Sequence, residues 1–389
     1  MKIGIAALIL GYVLSQFYRA FLAVLTPVLK TDLGATPEDL ASASGWWFLT
    51  FAVMQLPVGA ALDRIGPRLT TAVLLMVGAG GAAVFATAQG PGALVWAMAL
   101  IGVGCAPVLM ASYYIFARQF SAAVFGTLAG MVIGIGSLGN IAASLPLSAA
   151  VDAFGWRGTV WALAAVTALV ALAILVLVRD PDRVQHTQRG SVLTLLAMPA
   201  LWPVLIMMAA CYAPAAGLRG LWAGPWFADV FGADADGIGR VTLIMGLAMV
   251  AGNFAYGPMD RILGTRKWLV FGGNALLLAG LATLWLRPDQ GGWQPVALLA
   301  VIGFFGQTFP MVMAHGRAFL PPHLVGRGVA LINLFGIGAA GLMQLLTGRI
   351  FAAAPAEPAH APYAAVFLTY LLLVAAGLVA YLFAQDRTD

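Results

Sequence analysis

Residues 59–68 read GAALDRIGPR, a charged ten-residue turn between two apolar runs at 44–62 and 69–88. Each apolar run is about as long as a helix needs to cross a bilayer, so the turn is a connection between membrane helices. Gly59 would let neighbouring helices approach closely, and Gly66 supplies a turn conformation that other residues resist. Asp63 is placed to cap a neighbouring helix or to pair with an arginine, while Arg64 and Arg68 would hold the loop on the cytoplasmic side. The pattern returns at 257–266 as GPMDRILGTR, which repeats the acidic-basic pair as Asp260 and Arg261 and a later Gly-x-Arg. The seven residues Gly59, Asp63, Arg64, Gly66, Arg68, Asp260 and Arg261 therefore read as a conformational latch carried twice.

Composition points the same way. The chain has 389 residues, 62% of them hydrophobic and 9% charged, with a mean hydropathy of +0.94. A soluble domain needs no such composition, whereas a bundle solvated by lipid does. The net charge of +5 is not gathered into a basic patch, so nucleic acid is not an expected partner. Cys105 and Cys211 both lie in apolar segments and offer no disulfide framework. The N-terminal run continues beyond the length of a signal-peptide core and reads as a retained first span.

Apolar runs fall near 4–30, 40–62, 69–88, 92–117, 122–151 and 157–178, then 201–229, 238–257, 268–286, 294–316, 327–352 and 362–384. The expectation is an all-α membrane protein of twelve transmembrane helices in two pseudo-symmetric six-helix bundles. The bundles are expected at 1–178 and 201–389, joined by a polar cytoplasmic linker at 179–200. With both ends inside, thirteen basic residues fall at cytoplasmic positions and five outside. Arg19 and Arg219 are left within the membrane and complete the 20. That bias places both termini in the cytoplasm.

A Gly-x-x-x-Asp-Arg-x-Gly-x-Arg turn between two membrane-length segments resembles the signature loop of the major facilitator superfamily of secondary transporters. The halves also repeat in order. Tyr12 and Arg19 recur as Tyr212 and Arg219, Gly134-Ile-Gly136-x-x-Gly139 recurs as Gly336-Ile-Gly338-x-x-Gly341, and Ile101-Gly102 with Pro107 is echoed by Ile302-Gly303 with Pro310. Duplicated halves place a solute site near the midplane, with rocking of the halves giving alternating access.

Arg19 is too deep in its span to reach water at a helix end. A central arginine costs about 2.5–3.5 kcal/mol on insertion scales, so it should face the bundle interior or a wet cavity. Helical spacing puts Tyr12, Ser15, Gln16 and Arg19 on one face. In the seventh span Tyr212 and Arg219 have the same separation. None of the 15 acidic residues falls centrally in a span, so an anionic ligand would suit both guanidinium groups. The arginine pair resembles that of the organophosphate–phosphate antiporter branch of the superfamily, and Tyr18-Arg19 is similar to the first helix of that branch and of related organic-anion symporters.

Gln307, Met311 and His315 share a face of the tenth span, a cavity-lining position by resemblance to this fold. His315 could bind solute or carry a coupling proton. Alternatively it bonds a neighbouring helix. Met245 and Met249, with Met311 and His315, have the one-turn spacing of soft copper ligands. This resembles the copper importers of the superfamily. The fifth span lacks the Gly-Pro-x-x-Gly-Gly ending of the drug and sugar-efflux antiporters, so proton-coupled export loses weight. No enzyme motif is present, and no loop is long enough to be the output domain of a transporter-like sensor.

The expected activity is secondary transport of a small organic anion across a bacterial inner (cytoplasmic) membrane by a monomer. It needs no cofactor and no resident metal, with a proton or a counter-anion as the coupling ion. The partners are the solute and the lipid bilayer. Solute binding falls to Tyr12, Gln16, Arg19, Tyr212, Arg219, Gln307 and His315.

Overall fold

The computed structural model describes residues 2–181, 192–321 and 324–387, without the side chains at 2, 122–123, 126–127, 192–193, 260–261 and 326. With no water in a bilayer core to take up backbone N–H and C=O groups, a spanning chain must satisfy them internally, and helices do so residue by residue. Among the described residues ten helices are long and apolar enough to cross alone, and a pair bent by 54° makes an eleventh span. The fifth span opens with Ala122–Ala142, 21 residues, which completes the twelve.

The first span is α1 (Lys2–Tyr18) and α2 (Leu22–Leu33), followed by α3 (Pro37–Arg64), α4 (Pro67–Ala86), α5 (Pro91–Cys105), α6 (Pro107–Gln119), α7 (Ala122–Ala142) and α8 (Leu145–Leu177). Helix α3 begins on a capping box. Thr36 Oγ1 accepts from the Asp39 amide at 3.2 Å, and the Thr36 amide donates to the Asp39 carboxylate at 3.0 Å. Within α8, Gly155 has φ 69° and ψ 159° and marks a kink between two helices. The fifth span thus extends past the break at Ala143 to Gly155, and the sixth runs from there.

A short α9 (Val192–Leu196) and a 3-10 turn (Pro199–Leu201) lead into the seventh span. That span comprises α10 (Trp202–Cys211), α11 (Ala213–Gly217), a π-helical segment (Leu218–Trp222) and α12 (Ala223–Phe231). Then come α13 (Ala235–Leu263), α14 (Lys267–Leu286), α15 (Gln294–Phe305), α16 (Phe309–Arg317), α17 (Val325–Ala353) and α18 (Ala361–Tyr381). The polar linker expected at 179–200 needs correcting at its end. Leu195 is fully buried in an apolar core with Leu201, Val204 and Leu205, so the stretch from 192 belongs to the packed helices. Residues 182–191 of that linker lie outside the described residues.

The chain separates into two compact units, Met1–His186 with Asp234–Arg240, and Thr187–Ala233 with Val241–Asp389. In the first unit the glycine motif of α7 is a packing face. A Cβ on Gly139 would strike the Val13 carbonyl and lie 3.0 Å from the Phe17 nitrogen, and one on Gly136 would enter the Tyr12 ring. In the second unit Gly336, which matches Gly134 in the repeat, takes Phe309 and Met208 against its bare backbone, whereas a Cβ on Gly134 itself would meet nothing within 4 Å. Small residues here let whole helices touch, which is how membrane helices gain packing without a hydrophobic driving force.

Besides the break at 143–144 in the fifth span, interruptions among the described residues fall in the first, fourth, seventh and tenth spans, at residues 19–21, at Ala106, between Tyr212 and Trp222, and at residues 306–308. Each of the last three is held by an amide from a neighbouring helix. Gln55 Nε2 donates to the Ala106 carbonyl at 3.4 Å, Gln344 Nε2 to the Gly217 carbonyl at 3.5 Å, and Asn274 Nδ2 to Thr308 Oγ1 at 2.9 Å. Irregular backbone at membrane depth survives where protein re-satisfies it.

Candidate functional site

Arg19 occupies the turn between α1 and α2, the bend of the first span. The helix does not simply carry the arginine; it stops there. The guanidinium lies over Phe51, 4.8 Å from the ring centroid, and over Trp47 at 5.2 Å, while the two rings stack at 5.2 Å with an interplanar angle of 16°. Cation–π contact stabilises a desolvated guanidinium without consuming its donors. Among the described residues Arg19 has no salt bridge, and its buried Nε has no hydrogen-bond partner. Tyr12 and Gln16 bond each other, Nε2 donating to the phenol oxygen at 3.0 Å, so the polar stripe of α1 is partly internally paired.

Arg219 falls in the π-helical segment of the seventh span and is 2% exposed. Its guanidinium packs on Gly246 of α13, where a Cβ would come within 2.9 Å of Nη2. A π-bulge is uncommon and tends to mark functional positions, because the extra residue re-aims the side chains around it. Tyr212 sits at the junction of α10 and α11 and meets Phe309 edge-on at 5.3 Å. Both arginines therefore stand at interruptions of the spans that open their halves.

Other expected residues are placed differently. Gln307 lies in the break of the tenth span, its Oε1 accepting from Asn253 Nδ2 at 3.1 Å and its Nε2 donating to the Gly303 carbonyl at 3.4 Å. His315 is fully buried at the end of α16. One ring nitrogen bonds the Tyr381 hydroxyl, and Nε2 meets the Gln385 carbonyl at 2.8 Å and the Arg387 amide at 3.4 Å. The geometry gives His315 an anchoring role for the chain beyond α18 instead of an open face toward solute. The methionine set is likewise dispersed in function. Met245 and Met249 pack on Gly303, Met311 sits in the apolar core of the second unit, and the imidazole that would complete a copper site is bonded elsewhere.

The latch gains two members that the sequence reading missed. Asp63 meets Arg118, carboxylate to guanidinium at 3.7 Å, and Arg118 lies 4.1 Å over the Tyr114 ring. The cap on α4, however, comes from Asp180, just past the sixth span, which accepts from the Arg68 amide at 2.7 Å. Gly66 has φ 105°, and a Cβ there would lie 2.8 Å from the Asp180 carboxyl carbon. Gly59 needs correcting, since a Cβ on it would meet only the Met110 methyl, at 3.7 Å. It does not mediate a close helix approach here.

The second unit repeats this device with Asp386. Its carboxylate accepts from the Thr265 hydroxyl, from the Lys267 amide at 3.0 Å and from the Arg266 amide at 3.2 Å, at the start of α14. Burial pushes the Asp386 carboxyl up, but the bonds from Thr265, Lys267 and Arg266 outweigh it and hold it below its usual range. The signal was present in the sequence as an aspartate just past the sixth and last spans, at Asp180 and Asp386. The side chains of Asp260 and Arg261 lie outside the described residues.

Solved structures that share this arrangement include three transporters. A bacterial homologue of the human lysosomal transporter Spinster, in an inward-facing and unoccupied conformation, is 14% identical, with a TM-score of 0.77 over 97% of this chain and 95% of its own. The nucleoside transporter NupG is 12% identical, with a TM-score of 0.76 over 98% and 99%. A D-xylose-proton symporter is 16% identical, with a TM-score of 0.77 over 98% and 97%. At such identities the likeness concerns the fold. The profile of the Major Facilitator Superfamily matches residues 8–344, and with that match over most of its length the chain belongs to the Major Facilitator Superfamily.

Proposed function

We propose that this transporter moves a small organic anion, bound through Arg19 and Arg219, across a bacterial cytoplasmic membrane by alternating access. The observation that carries this reading is Arg19 at the break of the first span, held by aromatic faces and, among the described residues, without a carboxylate partner. An arginine kept charged in a low-dielectric setting needs compensation, and an anionic solute supplies it. The matching arginine in the π-helical segment of the seventh span gives the second half an equivalent group.

The test is a ligand panel on the purified protein, scored by thermal stabilisation, comparing organic acids, phosphate esters, amino acids, copper and cationic drugs. Organic anions are expected to stabilise most. Arg19→Lys should weaken that effect by about 1.5–3 kcal/mol, the range for a hydrogen bond to a charged group, because a point charge cannot replace the planar fork. Preferential stabilisation by cations would overturn the reading. His315, with its nitrogens engaged at the cytoplasmic end of its span, is not needed for it.

A further inference from the structure

Three donors gather around the break of the first span. Arg19 Nε and Trp47 Nε1 are buried without a hydrogen-bond partner among the described residues, and the buried Ser15 hydroxyl has no better partner than the weakly accepting Cys105 thiol beside it. Ser15 is one helical turn before Arg19, the Arg19 guanidinium lies over the Trp47 ring, and the Cys105 thiol, at the interruption of the fourth span, lies beside Ser15 and Arg19. Ser15 and Trp47 are fully buried. Native proteins rarely leave even one such group dry, since each costs its full desolvation. Three gathered at one junction call for a common acceptor.

We propose that Ser15, Arg19 and Trp47 form a carboxylate subsite built within the first six-helix unit, with the Trp47 indole N–H as a direct solute-recognition group. This rests on the reading that Arg19 meets the solute. The indole and guanidinium N–H groups can only donate. A bridging water would accept from two of them and still turn its own hydrogens toward aromatic carbon and a thiol, whereas an anion accepts all three bonds and donates none. Charge selects between anions. Arg19 is the one basic residue central in a span of this half, so a monoanionic carboxylate leaves the site neutral. Within this unit alone a phosphate dianion would leave a net negative charge in low dielectric, and its second charge would fall to Arg219. Arg19 keeps partial exposure, whereas Ser15 and Trp47 are buried.

Trp47→Phe keeps the ring stack on Phe51 and the surface under the guanidinium, and removes only the donor. The full-length protein, labelled with 15N at tryptophan, is titrated with acetate, lactate, benzoate and inorganic phosphate. The Trp47 indole resonance is assigned by its loss in the variant. At least one carboxylate should shift that resonance downfield. Trp47→Phe should weaken its binding about ten- to one-hundred-fold, the conversion of one charge-assisted hydrogen bond, with a much smaller effect on phosphate. Should Trp47→Phe fail to fold, Ser15→Ala carries the same expectation.

If carboxylates stabilise the protein in an Arg19-dependent manner while the Trp47 resonance stays still, the donors hold ordered water only; the subsite is wrong and the reading of Arg19 stands. A resonance moved by phosphate but by no carboxylate overturns the charge argument. Absence of any anion effect, on resonance or stability, removes both the subsite and the reading beneath it.

Discussion

Gly134 and Gly139 of α7 look alike in the sequence, and the structure makes them opposites. A Cβ on Gly139 would strike the Val13 carbonyl oxygen and stand 2.9 Å from the Val13 carbonyl carbon and 3.0 Å from the Phe17 nitrogen. All three atoms are backbone of α1, so no rotamer change relieves the contact. Carbon atoms rest at about 3.5–4.0 Å, so α1 and α7 must part by roughly 0.5–1 Å along their contact. Overpacking of this kind costs about 1–3 kcal/mol. A Cβ on Gly134 meets nothing within 4 Å, and alanine there gains about 0.5–1 kcal/mol of helix propensity. Gly139→Ala should therefore lower the melting temperature of the detergent-purified protein, and Gly134→Ala should leave it unchanged or raise it. Fluorescence-detected size-exclusion chromatography after a temperature series reads both variants in one experiment. Equal melting of the two, or the reverse order, would refute the packing of α1 on α7 described above.

The remaining expectations concern the helix ends that carry the latch. Asp386 has a depressed carboxyl pKa, so its contribution is present at pH above the ordinary carboxylate value near 3.8 and disappears as pH falls through the lower folded value. Asp386→Asn should cost about 0.5–2 kcal/mol, the range for a helix cap, and the gap to wild type in a melting series should close as the pH drops below about 4. Gly66→Ala should be poorly tolerated, because the residue has φ 105° and its Cβ would press on the Asp180 carboxylate; restored expression in Gly66→Ala/Asp180→Ala would show that the clash with Asp180, not the backbone, dominates. Asp63→Asn should slow exchange between inward and outward states while leaving equilibrium ligand affinity nearly intact, since its partner is Arg118 at the latch. Single-molecule distance measurements with a binding isotherm separate the two effects, and lost binding with normal exchange would count against the latch.

The legible part of this protein was what the solvent imposes. Lipid demands long apolar helices, so length and hydropathy alone placed the spans, and the 59–68 turn with its repeat identified the architecture. What stayed hidden were contacts made by backbone groups and by residues distant in the chain. Asp180 caps α4 from 112 positions beyond Arg68, and no local pattern connects them. Trp47 reads as one more apolar residue of its helix; only the folded chain sets it under Arg19, with no acceptor for its N–H among the described residues. His315 was attractive as the one histidine deep in a span, yet its partners Tyr381 and Gln385 are 66 and 70 residues away. Gly59 fitted a motif and needed coordinates to show that its flank is open.

The spacing of the interruptions explains why the candidate binding residues lie where they do. Spans one, four, seven and ten break, as the fifth does at 143–144, and neighbouring spans supply plugs at three of these breaks: Gln55 from α3 reaches the Ala106 carbonyl, Gln344 from α17 the Gly217 carbonyl, and Asn274 from α14 the Thr308 hydroxyl. An unbroken helix offers a solute only side chains, because its own carbonyls and amides are spent on each other. A break releases backbone groups, and a neighbouring amide satisfies them at modest cost, since the same amide can bond another acceptor when the backbone shifts. Arg19 stands directly in one break and Arg219 within another, so any change of angle at these joints moves a guanidinium with little repacking of the rigid helices around it. If that coupling operates, Gln344→Leu, which removes the plug beside Arg219 without touching the arginine, should change ligand affinity by shifting the seventh span. Gln55→Leu should act on the fourth span and leave the contribution of Arg219 intact. A double-mutant cycle between Gln344→Leu and Arg219→Lys reads this directly: independent, additive losses would mean that the plug and the arginine do not act as one joint.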